Sequence, residues 1–257
     1  MAKKYQKIII TNEYILAEGE LPVCLVAHLD TVFPKPPEDI YYDKQQKVMW
    51  SPQGLGADDR AGVYAIIQIL EDGYRPSVLF TTDEELGLIG AQTLITQRPD
   101  CPLKNLKAIF QLDRQGMDDM VFYGCNNPDF ENYIEKFGFT FGWGTFSDIS
   151  VIAPTWKVAA ANLSVGYVGE HMQTEILHTD WMESTIEKVE QMLSVSDLMP
   201  SYAYISMMTG FRRGGKNCLY CNKKLTKKHR HLIQGTDQYG NFKYFLCDKC
   251  YQNYISA

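Results

Sequence analysis

Residues 80–90, FTTDEELGLIG, set three carboxylates side by side after an apolar run: Asp83, Glu84 and Glu85. Like charges this close repel, and a carboxylate withdrawn from water is costly unless a cation or a hydrogen-bond donor meets it. Either the turn is solvated and caps the next helix, or it holds positive charge. Acids and imidazoles of the same kind recur elsewhere: His28 with Asp30, Asp58 with Asp59, then Asp113 and His171. Taken singly, each suits a hydrogen-bonded strand end or a helix cap. Together, His28, Asp58, Glu85, Asp113 and His171 offer the nitrogen and oxygen ligands that a pair of zinc-like ions needs when one carboxylate bridges them. Asp83 finds no place in this set and is read only as a helix cap.

A second cluster lies near the end of the chain. CLYC (218–221) and CDKC (247–250), with 25 residues between them, match a zinc ribbon in which Cys218, Cys221, Cys247 and Cys250 hold one structural ion. The segment is too short to build a core without it. The other cysteines, Cys24, Cys101 and Cys125, are scattered, and this usage favours metal ligands and thiols over a disulfide framework.

The elements that must position the first cluster alternate. LPVCLVAHLD (21–30), SVLFTT (77–82) and LKAIFQLD (106–113) are nearly continuous apolar runs, as in strands buried on both faces, and KVMWS (47–51) is a further strand. DDRAGVYAIIQILEDG (58–73) reads as a helix that stops at Gly73, and EELGLIGAQTLITQ as another. PDFENYIEKFG (128–138) is helix-like, and the final helix of the large part, 179–198, is expected to be capped by Thr179 or Asp180. The fold class predicted is α/β: a mixed, mostly parallel sheet with helices on both faces, plus the small ribbon. In such sheets ligands sit beyond the carboxyl ends of the strands, where His28, Glu84, Glu85 and Asp113 fall. Ser147 and Asp148 interrupt another apolar run, and either shape the pocket, where they would touch substrate, or cap a helix.

The segments AHLDTV, GLGADDRAG, TTDEELGLIGA, QLD and NLSVGYVGEHMQTE, in this order, resemble the co-catalytic di-zinc exopeptidase clan over roughly residues 20–195. GLGADDRAGV is most similar to peptidase T and its tripeptidase relatives, and DEELGLIGA to the glutamyl and deblocking aminopeptidases. The resemblance implies a zinc exopeptidase-like fold and two catalytic Zn2+ or other divalent ions. His28 would bind one ion with Asp30 behind its imidazole, Asp58 would bridge, and Glu85, Asp113 and His171 would complete the set. Glu84 would be the general base for a water shared between the ions. His171 matches the clan's pattern of a His with Glu at the fourth position after it, here Glu175. His178 is the competitor. Only 57 residues separate Asp113 from His171, which leaves no room for the lid or dimerisation domain of peptidase T. Any lid is then a loop, YGCNNPDF or FGWGTFSD.

Charge divides the chain. Residues 211–257 carry ten Lys and Arg against two Asp, about +8, whereas residues 1–210 carry about −14. The boundary is set at the glycine-rich sign change in MMTGFRRGGKN, separating a catalytic domain (1–210) from a basic ribbon (211–257). The ribbon's lysines, with Tyr220, Tyr239, Phe242, Tyr244 and Phe245, suit nucleic acid, a protein partner or the acidic catalytic part equally. His229 and His231 are expected at its surface. No stretch is long and apolar enough for a membrane span, and no apolar segment follows the N-terminal lysines, so a cytoplasmic protein is expected.

The function expected is amide hydrolysis, foremost by an aminopeptidase on short peptides. An amidohydrolase or deacylase acting on N-acyl or cell-wall-derived amides uses the same metals. A non-enzymatic binding module guided by the ribbon is the third alternative, disfavoured because Glu84 and every expected ligand are present.

Overall fold

Strands form where the sequence runs apolar. The computed structural model describes residues 5, 7–206, 218, 224–237 and 240–256. The first seven strands are β1 (Lys7–Ile10), β2 (Tyr14–Glu18), β3 (Leu21–His28), β4 (Tyr41–Asp43), β5 (Val48–Trp50), β6 (Pro76–Thr81) and β7 (Ala108–Arg114). They are followed by β8 (Asp119–Val121), β9 (Thr140–Phe141), β10 (Ala160–Ser164), β11 (Tyr167–Val168) and β12 (Ile176–His178). The helices among them are α1 (Ala57–Glu71), α2 (Ile89–Gln97), α3 (Pro128–Glu135), α4 (Ile149–Trp156) and α5 (Thr179–Ser194). A C-terminal hairpin of β13 (His231–Asp237) and β14 (Gly240–Leu246) leads into α6 (Asp248–Ser256).

The main sheet has the order β1-β2-β6-β3-β7-β10-β8-β9. Its centre, β6-β3-β7-β10, is parallel throughout, and antiparallel β2 and β8 flank it. Alternate residues serve opposite faces. Val23, Leu25 and Ala27 of β3 with Phe110 and Leu112 of β7 face the core under α1 and α5. Cys24 and Val26 with Ile109 face the core under α2 and α4. Covered on both sides, the central strands carry functional groups only at their ends.

A second sheet, β11-β12-β5-β4, joins two segments far apart in the chain. Trp50 pairs with Ile176 and Val48 with His178, which draws the loop bearing His171 toward the region between β3 and α1. The residues between Asp113 and His171 are spent on β8, α3, β9, α4, β10 and β11.

Several expectations are revised. Helix α2 starts at Ile89, so Glu84 and Glu85 stand in a turn that Leu88 closes in the left-handed conformation. The Asp83 side chain caps nothing there. Neither Thr179 nor Asp180 caps α5, since both are helical and His178 occupies the cap position. The expected domain boundary at 207–217 and the ligand Cys221 lie outside the described residues, as do Tyr220 and Tyr239. Among the described residues, no helix is long and apolar enough to cross a membrane.

Helix α1 lies close on β7 because residue 62 has no side chain. A methyl group on Gly62 would overlap the Leu112 carbonyl oxygen and press on the Asp59 carboxylate. Gly62→Ala is therefore expected to cost about 1–3 kcal/mol through overpacking. Urea unfolding measures it, and an unchanged midpoint contradicts this packing.

Candidate metal centre

The candidate ligands converge at the carboxyl ends of the parallel strands. His28 ends β3, Glu84 and Glu85 follow β6, and Asp113 stands near the end of β7. Asp58 lies at the start of α1, where Asp58 and Asp59 keep non-helical dihedrals and share a cis peptide bond. His171 comes from the loop between β11 and β12, with a φ of 65°.

Three overlapping groups result, and within each the ligand atoms lie within 4.8 Å of one another: His28, Asp58 and Asp113; Asp58, Glu85 and His171; and His28, Glu84 and Glu85. Asp58 belongs to the first two and faces them with different oxygens. Its Oδ1 is 3.0 Å from His28 Nε2, and its Oδ2 is 3.3 Å from His171 Nε2. His28 Nε2 is also 3.4 Å from Asp113 Oδ1, and His171 Nε2 is 2.9 Å from Glu85 Oε2. One carboxylate thus faces both imidazoles, each with a different oxygen. His178 belongs to none of these groups; it stacks on Trp181 with ring centroids 3.9 Å apart.

Each ligand is held by groups distant in sequence. Asp30 stands 3.2 Å from His28 Nδ1, which leaves Nε2 turned toward Asp58, and its two oxygens also accept the backbone N–H groups of Glu84 and Glu85, each at 3.1 Å. One carboxylate thus positions an imidazole and the acidic turn together. Asp59, fully buried, accepts from His28 N–H at 3.1 Å and from Gly62 N–H at 3.0 Å, tying β3 to α1. Glu175 accepts from the N–H groups of Ala57 (2.8 Å) and Asp58 (3.2 Å) and so fixes the start of α1 at Asp58. The Ser147 hydroxyl donates to Asp113 Oδ2 at 2.7 Å, while Asn162 brackets the Asp113 backbone, accepting its N–H at 3.0 Å and donating to its carbonyl at 2.8 Å.

Sequence reasoning missed these supporting roles of Glu175, Asp59 and Asn162. An amide side chain inside the otherwise small and apolar run AANLS was the available signal for Asn162. Ser147 and Asp148 are both buried: Ser147 orients Asp113, and Asp148 accepts a hydrogen bond from Thr81 without capping α4.

The charges are out of balance. Burial, then Asp113, pushes the Glu84 carboxyl up to about 9, and burial with Asp58 pushes Glu85 up to about 7. Burial opposes a charge on His28, but Asp113, Asp30 and Asp58 outweigh it and raise the imidazole well above its ordinary value. Against its own burial, Asp58 is held below the usual carboxylate range by His171 and His28. Protons thus stand where cations would relieve the repulsion. Two imidazoles and four carboxylates in overlapping groups fit a pair of divalent ions with nitrogen and oxygen ligands.

The site opens into a cavity of about 510 Å3. Asp58, Glu84, Glu85, Asp113 and His171 line it, with Tyr123, Thr145, Phe146 and Glu170 on its walls. Of the two loops expected to cover the site, each therefore contributes to the cavity. Arg114 also lines it, with its guanidinium 3.5 Å from Asp119.

Comparison with known proteins agrees with this architecture. Residues 14–143 match Peptidase family M28. Among solved structures, a tripeptidase from Staphylococcus aureus subsp. aureus Mu50 superposes with a TM-score of 0.57 at 14% identity, covering 72% of this chain and 85% of that one. The aminopeptidase PepT from Bacillus cereus ATCC 10987 gives 0.55 at 16% identity, over 72% and 84%. An aminopeptidase from the archaeon Desulfurococcus kamchatkensis gives 0.52 at 14%, over 75% and 86%. At these identities the structural likeness speaks to the fold. No curated protein matches the sequence.

Removing a group that orients a ligand typically weakens metal binding or activity roughly 10–100-fold. Glu175→Ala is expected to do so, measured by zinc titration against a competing chelator. His171→Ala should lose one equivalent of bound metal and His178→Ala none; the reverse pattern would transfer the ligand role to His178.

Proposed function

The chain belongs to peptidase family M28, and from that membership we propose that it is a zinc-dependent aminopeptidase that removes residues from the free amino ends of short peptides. The observation that carries this reading is Asp58, whose two oxygens face two ligand groups at once. In the proposal His28 and Asp113 would hold one zinc ion, Glu85 and His171 would hold the other, and Asp58 would serve both. Bound ions of this kind act as Lewis acids, polarising a carbonyl and lowering the pKa of water.

The chain's own residues supply the rest. Glu84 is 7% exposed yet lines the cavity, within reach of a water and of a substrate amide. Its carboxylate takes the proton of the attacking water and delivers it to the departing amine, the two halves of general acid–base catalysis. Asp30 holds the Glu84 backbone, so the base and the His28 imidazole keep a fixed relation. The Asp113 oxygens are engaged by Ser147 and Tyr167, which limits the directions in which that carboxylate can turn.

Charge supports an amino end. Glu170 adds a carboxylate to the cavity wall outside the ligand set, suited to a substrate ammonium group. A carboxypeptidase would need a cation for the terminal carboxylate, and the Arg114 guanidinium is turned to Asp119.

The test pairs substrates with a variant. Zinc-loaded protein is expected to cleave dipeptides and tripeptides with free amino groups and to leave their N-acetylated forms intact. Glu84→Gln should keep its metal and lose about a hundred- to ten-thousand-fold in kcat. Preferential cleavage of N-acylated substrates would favour a deacylase, and full activity in Glu84→Gln would remove the assigned base.

A further inference from the structure

The C-terminal segment contains a second group of metal-ligating side chains, chemically unlike the first. The sulfur atoms of Cys218, Cys247 and Cys250 lie within 4.8 Å of one another. A tetrahedral zinc ion with Zn–S bonds of about 2.3 Å places its sulfurs about 3.8 Å apart, so the cluster needs only a small contraction to close on an ion. Cys218 and Cys247 are buried, and Cys250 is half-buried in the first turn of α6. The Cys247 N–H donates to Cys218 Sγ at 3.2 Å, a contact that stabilises a thiolate.

The surroundings indicate what such an ion would do. Among the described residues, Ile233 and Leu246 are the buried apolar side chains around the thiols, and a segment of under fifty residues has only a small core with which to fold by burial alone. Two aromatic residues of the catalytic part extend this small core: Phe141 and Trp143, packed edge to face with centroids 5.3 Å apart. Gly144, Thr145 and Phe146, which follow directly, line the catalytic cavity. Phe146 is 57% exposed and has little burial of its own to fix it. The net charges, about −14 before residue 211 and +8 after it, favour association of the two parts. At the surface of the segment, His229 and His231 hydrogen-bond to Asp248 at 2.7 and 2.8 Å.

We propose that Cys218, Cys247 and Cys250 hold a zinc ion that orders the C-terminal segment against Phe141 and Trp143, and thereby fixes the wall of the catalytic cavity at residues 144–146. The role of the wall in substrate binding rests on the aminopeptidase reading; the metal site and the ordering of the wall do not.

The experiment uses the full chain. Protein loaded with cobalt(II) is expected to show sulfur-to-metal charge-transfer absorption, which Cys250→Ser should weaken or abolish. Elemental analysis of the zinc form should show one equivalent lost in Cys250→Ser and the remainder retained. Hydrogen exchange of peptides spanning residues 141–146 should speed up in that variant and in Trp143→Ala, the latter keeping its thiol-bound metal. KM for peptide should rise several-fold in both, with kcat changed much less. Absence of the charge-transfer band in the wild type would overturn the metal site. A band whose loss leaves exchange at 141–146 unchanged would overturn the coupling. Both readouts hold whether or not the protein cleaves peptides.

Discussion

Buried carboxylates that face one another at the ends of parallel strands repel, and the organisation of this site answers that repulsion. Asp58, Glu84, Glu85 and Asp113 line one cavity with the exposed imidazole of His171, and the buried imidazole of His28 stands behind them, 3.0 Å from Asp58 and 3.4 Å from Asp113. In a medium less polar than water such a cluster keeps its charge only with cations in its midst. Without them its acids hold protons well above their ordinary range, as Glu84 does. The fold cannot relieve the strain by spreading the acids apart, because each is fixed by a strand end, by a turn or, for Asp58, by the start of α1.

That fixing is done by a ring of polar contacts over long sequence separations. Glu175 reaches back to Ala57 and Asp58, Asn162 clasps the backbone of Asp113, and Asp30 spans His28 and the turn at Glu84. Hydrogen bonds to charged groups are worth about 1.5–3 kcal/mol each, more than neutral ones. They place ligands before any ion arrives, so little reorganisation is left to binding. The small sheet has the same use, since pairing β5 with β12 carries the His171 loop to Asp58.

Most of this architecture could be read from the chain alone. Continuous apolar runs ending in His28, the acidic triplet and Asp113 mark buried parallel strands and the edge where a site forms. The errors have physical causes. The turn at residues 82–88 carries helix-forming residues, yet α2 begins only at Ile89, because the Asp30 carboxylate claims the N–H groups of Glu84 and Glu85. The β1–β2 hairpin went unread, its turn made by Thr11, whose hydroxyl accepts the N–H groups of Glu13 and Tyr14. Ser147 and Asp148 looked like pocket or cap residues, and only the fold shows that Ser147 serves Asp113. Contacts between residues dozens of positions apart leave no local signature.

The proposed site depends on one carboxylate, Asp58, joining two cation positions. X-ray diffraction from zinc-grown crystals at the zinc absorption edge tests it directly. Two anomalous peaks are predicted in the catalytic cavity, one at His28 and Asp113 and one at Glu85 and His171, with an oxygen of Asp58 on each. A single peak there, or a second peak held by His178, would contradict the account.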